Sequence, residues 1–493
     1  MMYGDIKLNN HFILRYGLTK EFFESFHSLK YRGIEIPTVL LRPFHRYIQS
    51  FVNKNLTNRK LITNLKKKHQ LNTMRDVQLK LARLPKINRN LITVKHRNTI
   101  LLPGRMAPFA LKSLSKAHIL FTISDKEDQK VLKRYTLPSQ MKVFNYSQKL
   151  TKQKISRHTQ NILLNRMNII LRRMRNHRLF SHSSFKKWLI THIKVAIKNI
   201  KLLDNLIRKE PIKVISARSE IINPGTTLSL LAAKYNLPFV NIPQVLIGDA
   251  SLLPTRASHY CVWGNNQQDW LRKRGISPSK IIQTGNINFE SANNFKCRSK
   301  EHFFKMLSIP QDHTVITFAS QPFNKKVQST IVSWIQQSLS TLRKAIVLIK
   351  PHPNDKTDFK ALLKPTEKII VLSKEYSLYD VICHTDYLMT VSSNSAIETA
   401  MFNKAIIVLQ PSIPYHYDQS HNDYHAHLVK AKAGPVVSKK GDLSKIFMKI
   451  TNDPYYKQTL LKQSTDFLNQ TLISASPSAS VAKVMKTLLR KRR

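Results

Sequence analysis

From Thr99 onward, short apolar runs alternate with stretches whose apolar residues recur every three or four positions. The runs Thr99–Leu102, His118–Thr122, Met141–Asn145, Lys213–Ser216, Pro238–Ile242, His259–Trp263 and Lys280–Thr284 predict strands. Between them Pro108–Ser115, Asp125–Arg134 and Thr226–Tyr235 predict helices. A second series follows at Thr314–Ala319, Ala345–Ile349, Lys368–Leu372, Tyr387–Val391, Ala405–Leu409 and Gly434–Val437. Its helices are expected at Val327–Leu342, from near Ala396, at Leu443–Thr451 and at Pro454–Leu472. Strands that are apolar throughout and alternate with helices belong to parallel sheets covered on both faces. The fold class is therefore α/β, with two Rossmann-like β/α/β domains facing each other across a cleft. The polar stretch Ser291–Lys300, with Asn293-Asn294, reads as the linker between them. The expected division is 1–95, a basic and largely helical N-terminal extension; 96–290, the first domain; 291–300, the linker; 301–455, the second domain; and 456–493, C-terminal helices ending in a basic tail.

The first 95 residues carry the weakest pattern. Lys20–Tyr31 suits a helix, and Ile48–Leu81 reads as basic helix interrupted at Asn53–Asn58. Two readings stand side by side: an arm that docks on membrane or acceptor polymer, and a loosely packed extension of low apolar content. Thr159–Leu179 and Ser184–Lys209 are long helical patterns. The first sets Ile162, Met167, Ile170 and Met174 on one face, with Arg166, Arg172, Arg173 and Arg175 elsewhere. Such a helix packs its stripe on a core or lies on an anionic membrane, and the two are compatible if the basic face stays exposed.

Charge sharpens this picture. Lys and Arg number 81 against 28 Asp and Glu, a formal net charge of +53 in 493 residues. Residues 1–210 hold 44 basic and 10 acidic residues, and residues 211–493 hold 37 and 18. The excess implies an anionic partner: nucleic acid, lipid surface or substrate. No RRM, KH, zinc-finger or basic-aromatic signature accompanies it, so nucleic acid is not expected. Cys261, Cys297 and Cys383 form no metal-ligand spacing and are expected as free thiols in a reducing cytoplasm. The N-terminus lacks the apolar core of a signal peptide, and no run has the ~20 apolar residues of a membrane span. The expected location is cytoplasmic, peripheral on the inner face of the cell membrane.

The candidate chemistry lies at strand ends. Ala345–Ile349 runs into Lys350-Pro-His352-Pro, where the prolines forbid helix and fix the histidine's backbone. Tyr387–Val391 runs into Ser392-Ser393-Asn394-Ser395, which open a helix carrying Glu398. Ligands of open parallel sheets bind outside the carboxyl ends of the strands, and hydroxyls at a helix start suit a phosphate. Ser395-x-x-Glu398 is equally a capping box, in which Glu398 bonds only backbone.

These two segments, in this order and spacing, resemble the C-terminal half of GT-B glycosyltransferases, and the resemblance extends over residues 96–455. The nearest members are capsule-synthesis transferases, CDP-glycerol glycerophosphotransferases of teichoic acid synthesis and bacterial polysialyltransferases. The same half is similar to the non-hydrolysing UDP-N-acetylglucosamine 2-epimerases. The resemblance implies that His352 donates to the donor's phosphate, with Lys350 assisting. It implies that Glu398 accepts from the ribose hydroxyls, and that Ser392, Ser393, Asn394, Ser395, Ser320 and Gln321 complete a donor site. Ser478–Leu489 would cross back to the first domain. No cofactor and no metal are needed, since the nucleotide-activated donor is itself a substrate. The polar loop His416–His427 (His416, Asp418, His421, Asp423, His425, His427) matches no standard metal site. Related enzymes carry His-Gly after the strand corresponding to Pro238–Ile242, whereas this chain reads Pro243-Gln244-Val245. Among Glu220, Asp249 and His259, Glu220 is chosen as general base, and Arg105 and Arg218 are expected to hold an anionic acceptor.

The function expected is transfer of a sugar or polyol-phosphate from a nucleotide-activated donor to a surface polysaccharide or teichoic-acid-like acceptor. The partners are that donor, an anionic or lipid-linked polymer and an anionic membrane surface. An epimerase-like enzyme, which needs no basic face, and a non-catalytic GT-B scaffold, suggested by the missing His-Gly, are the alternatives.

Overall fold

A computed structural model describes residues 6–88, 96–217, 219–413, 427–473 and 476–491. The first series of apolar runs forms strands β1 (Thr99–Pro103), β2 (His118–Thr122), β3 (Met141–Phe144), β4 (Ile212–Ser216), β5 (Phe239–Asn241), β6 (His259–Val262) and β7 (Ile281–Gln283). They build one parallel sheet in the order β3-β2-β1-β4-β5-β6-β7. The second series forms β8 (Thr314–Ala319), β9 (Ala345–Lys350), β10 (Ile369–Val371), β11 (Tyr387–Thr390), β12 (Ala405–Leu409) and β13 (Val436–Val437). This sheet is also parallel, in the order β10-β9-β8-β11-β12-β13. In each sheet the strand order reverses beside the first strand, so a crevice opens at the carboxyl ends between β1 and β4 and between β8 and β11.

Every residue of β9, β11 and β12 is buried, as strands covered on both faces must be. One face of the first sheet is covered by helix α7 (Pro477–Arg490) through Val481, Ala482, Met485 and Leu488. The end of the chain thus completes the core of the first domain. The crossing is tight: a Cβ on Gly264 would lie 2.8 Å from the Thr471 carbonyl oxygen, so only glycine fits.

The N-terminal segment is not a loose extension. Helix α1 (Asn10–Ser25) buries Phe12, Ile13, Leu14, Tyr16, Leu18, Phe22 and Phe23 in the same core as Leu101 and Ile215 of the sheet. Phe22 stacks on Phe44 at 4.3 Å. Polar contacts fix the segment to the domain: Arg32 donates to Asp204 at 2.8 Å, and Gln78 exchanges two hydrogen bonds with Thr255 at 2.7 and 2.9 Å. Apolar burial supplies the drive and the polar pairs set the register.

The two long helical patterns are α2 (Arg157–Arg173) and α3 (Ser183–Lys209). The buried stripe of α2 is Leu163, Met167 and Ile170, and Ile162 faces outward with Ile169. Of the expected stripe, Met167 and Ile170 are buried and Met174 packs half-buried against the same core, while Leu163 takes the place expected for Ile162. Among the described residues no helix is long and apolar enough to cross a membrane.

The expectation of three free thiols is corrected. Cys297, in the linker, is disulfide-bonded to Cys383, at the end of helix α5 (Leu378–Cys383), with their Cα atoms 5.9 Å apart. Sequence spacing gave no hint because the two are 86 residues apart and meet only through the fold. Cys261 is free and buried.

Candidate active site

The carboxyl ends of β9, β8 and β11 are tied side by side. The Ser320 hydroxyl accepts from the His352 N–H at 3.0 Å and donates to the buried Asp355 carboxylate at 2.7 Å. Asp355 also accepts from Gln328 at 2.8 Å, on helix α4 (Lys325–Ser338). One residue on, the Gln321 side-chain oxygen accepts from the Ser392 N–H at 2.8 Å. The strand register, which sets Ala319 beside Lys350 and Phe318 beside Met389, brings these loops together. His352, Ser320, Gln321 and Ser392 therefore form one cluster at the reversal of strand order.

The tautomer of His352 follows from its neighbours. Its Nδ1 accepts from the Asn354 N–H at 3.0 Å, so the neutral ring carries its proton on Nε2. Burial lowers the imidazole below its ordinary value, and Lys350 and Lys374 add to this against the opposing pull of Asp355. The ring is a neutral donor. Lys350 plays a different part from the one expected: it is buried, and its ammonium bonds the carbonyls of Ser373 and Lys374 at 3.4 and 3.1 Å. It fixes the neighbouring loop and acts on His352 only through its field.

The hydroxyl segment divides by burial. Ser392 and Ser395 are buried, and Ser393 and Asn394 are half-exposed. The Ser393 hydroxyl accepts from the Ser395 N–H at 3.2 Å, which leaves its own proton to donate. Asn394 reaches the first domain: it accepts from the Leu246 N–H at 3.3 Å and donates to the Gln244 carbonyl at 3.2 Å. Beside it Leu246, Trp263 and Phe289 of the first domain pack with Ala396, Ile397 and Val408 of the second.

Glu398 is not a capping carboxylate. Helix α6 (Ser395–Met401) has no side-chain cap at Asn394, and Glu398 accepts instead from the Tyr379 hydroxyl at 2.9 Å. Burial raises its carboxyl above the ordinary range, and the Tyr379 hydrogen bond opposes that. The phenol is itself pushed up to about 12, by burial and by Glu398.

The first domain places its expected residues differently. Glu220 is fully buried and accepts from Thr255 at 2.6 Å, Asn241 at 2.8 Å and the Arg256 N–H at 2.6 Å. A carboxylate so enclosed is a packing staple, not a base facing a cleft. Asp249 pairs with the buried Arg274, which also stacks on Trp270 at 3.8 Å. His259 opens β6 at the amino end, opposite the ligand-binding edge. Arg105 is held by Asp125 and Asp128 at 2.6 and 2.9 Å, so its charge is matched within the domain. Arg218 and residues 414–426, including His416, Asp418, His421, Asp423 and His425, lie outside the described residues. The last of that loop, His427, is buried and driven down to about 3 by desolvation and Lys430. Among the described residues no three His, Cys, Asp or Glu side chains are grouped to hold a metal.

On the first domain, beside the start of the linker, lies a cavity of about 310 Å³ lined by Arg105, Lys112, Gln244, Asn288, Glu290 and Ser478, among others. Glu290 accepts from Ser478 and lies 3.3 Å from the Lys112 ammonium. Gln244, just past β5, also lines this space. Sequence reading missed Tyr379, Asp355, Lys374 and Glu290. The first three act on partners far along the chain, and Glu290 sits just before the linker with no motif around it.

The fold has counterparts among solved structures. UDP-GlcNAc 2-epimerase from Neisseria meningitidis bound to UDP-GlcNAc superposes with a TM-score of 0.50 at 13% identity, covering 80% of this chain and 99% of that one. The fold is GT-B. Residues 260–476 match the family described as CDP-Glycerol:Poly(glycerophosphate) glycerophosphotransferase. The match takes in all of the second sheet but less than half of the chain, and the family it names is one of transferases. The S. aureus MnaA-UDP co-structure is also similar (TM-score 0.49, 13% identity, 80% of this chain and 99% of that one). So is the wall teichoic acid polymerase TagF (TM-score 0.44, 10% identity, 91% of this chain and 98% of that one). No curated protein sequence matches the chain.

Proposed function

We propose that this chain is a transferase that moves a polyol-phosphate from a nucleotide-activated donor, CDP-glycerol by preference, to a teichoic-acid-like polymer at a membrane face. The observation that carries the reading is that the family match over 260–476 contains the entire strand-end cluster. In this reading Glu398 receives the ribose hydroxyls, and the Ser393 hydroxyl and His352 Nε2–H donate to the two phosphates. The acceptor hydroxyl attacks the phosphorus that bears glycerol. The new P–O bond forms as the bond to CMP breaks, and CMP leaves with the electron pair. His352 stabilises the charge that develops on CMP. The acceptor enters through the cavity on the first domain beside the linker, and Glu290, the carboxylate lining it, takes the acceptor's proton.

Supporting the membrane reading, the exposed side of α2 carries Ile162 and Ile169 among Arg166, Arg172 and Arg173. Apolar wedges set in cations suit an anionic lipid surface.

The deciding experiment incubates the full chain with labelled CDP-glycerol and a lipid-linked glycerol-phosphate primer, and in parallel with UDP-GlcNAc. Chain growth with stoichiometric CMP release is expected, slowed at least tenfold in Glu290→Gln if that carboxylate is the base. Interconversion of UDP-GlcNAc without chain growth would establish the epimerase reading instead. Nucleotide binding without any turnover would leave a scaffold.

A further inference from the structure

We propose that Tyr379 is a positioning residue that aims Glu398 at the donor ribose and is itself held in place by the interdomain linker. This rests on the reading of Glu398 as the ribose partner. Tyr379 lies on α5, a different element from Glu398, and its hydroxyl donates to Glu398 Oε1 at 2.9 Å. A carboxylate has two oxygens, and fixing one orients the other. With Oε1 taken by the phenol, Oε2 is left to accept from a diol.

What fixes the phenol is the linker. Phe295 meets the Tyr379 ring edge-on at 5.3 Å, and the Ser291 hydroxyl lies 3.4 Å from the phenol oxygen. Phe402, just past the helix that carries Glu398, closes the other side at 5.7 Å. Two residues beyond Phe295, Cys297 is bonded to Cys383, four residues beyond Tyr379 and so on the same side of the helix. The linker is thus attached to α5 on either side of the ring that holds Glu398. Arg298 and Asp380 add an ion pair at 3.6 Å between the same two segments. A linker that only connected two domains would need none of these contacts.

The consequence is specific. Loss of the phenol hydroxyl frees Glu398 to rotate, which weakens recognition of the ribose 2′-hydroxyl and leaves the contacts to base and phosphate alone. A purely structural Tyr379 would weaken all nucleotide binding alike.

Calorimetric titration of the full chain with CDP and with 2′-deoxy-CDP separates these. The wild type is expected to favour CDP, and Tyr379→Phe, which keeps the ring packed, to cut that preference roughly 5- to 10-fold, the loss of about one ordinary net hydrogen bond. Phe295→Leu keeps the hydroxyl but loosens the ring, and is expected to cut the preference by a smaller factor. Glu398→Gln tests the underlying reading. If it leaves the CDP preference at the wild-type ratio, Glu398 does not hold the ribose and that reading fails. If Glu398→Gln abolishes the preference but Tyr379→Phe retains it, or lowers both affinities equally, the positioning role is overturned. An unchanged ratio in Phe295→Leu overturns the linker's part. Thermal melts of each variant identify any that fail to fold. In that event Ser291→Ala, at the exposed edge of the contact, replaces Phe295→Leu under the same criterion.

Discussion

Burial turns His352 into a donor that does not lose its character near neutrality. Its pKa lies below the ordinary 6.5, first because of desolvation and then because Lys350 and Lys374 stand nearby. A depressed histidine favours the folded state above the unfolded value, and that contribution is lost as pH falls through the folded value. The acid limb of turnover due to His352 is therefore expected below pH 6.5. Lys374→Met, which removes one neighbouring cation, should move that limb upward, as a pH–rate profile of both proteins will show; a limb that stays put separates His352 from the reaction. Glu220 makes the opposite case. Its three hydrogen bonds surround a fully buried carboxylate beside the buried Arg256. Glu220→Ala strands that cation and should cost about 3–5 kcal/mol of stability. In denaturant melts and assays, activity per folded molecule should stay near wild type; a large loss of turnover at unchanged stability would restore Glu220 as a base. The sequence showed that a carboxylate follows a strand, but it cannot show whether three donors close over it.

Among the elements, legibility followed the strength of the period. The run Thr314–Ala319 is a strand with the expected bounds, and Tyr387–Val391 ends one residue early. Short apolar runs between helices have few other ways to be buried. Helix α1 was missed in part because its residues from His11 to Thr19 are all buried, whatever their polarity, so no amphipathic stripe marks it. On α2 the stripe was recognised through Met167, Ile170 and Met174, yet Ile162 was chosen for it in place of Leu163, because the two are adjacent and apolar and only packing chooses between them. That choice has a measurable result. With Ile162 and Ile169 outward beside Arg166, Arg172 and Arg173, the helix should bind vesicles containing anionic lipid, each cation contributing about 1 kcal/mol at low salt. The double change of Ile162 and Ile169 to Ser should weaken sedimentation with such vesicles and leave melting unaltered. Equal sedimentation of the two proteins would remove this helix from the membrane contact.

The two sheets work as one object because the chain passes between them twice, through the linker and through the return of α7 to the first core. Both domains and their order were legible, since each series of strands is complete in itself. Their mutual placement was not, because it depends on contacts between residues such as Gly264 and Thr471 that no local pattern relates. Asn394 is the clearest instance. Read as a donor ligand, it instead spans the cleft to Gln244 and Leu246, immediately after the two serines that the donor is expected to meet.

That placement makes domain closure part of the measured affinity. If the nucleotide is held firmly only when the two halves meet, the observed Kd equals the intrinsic one divided by the fraction of molecules already shut. Asn394 then sets an occupancy rather than a contact. Each of its two hydrogen bonds is worth about 0.5–1.5 kcal/mol, so Asn394→Ala should weaken CDP binding by about tenfold without removing any group that touches the nucleotide. The same change should widen the distance distribution between spin labels placed on the two domains, and saturating CDP should narrow it again. Labels that report one unchanged separation in every case would show that the halves are locked together irrespective of Asn394.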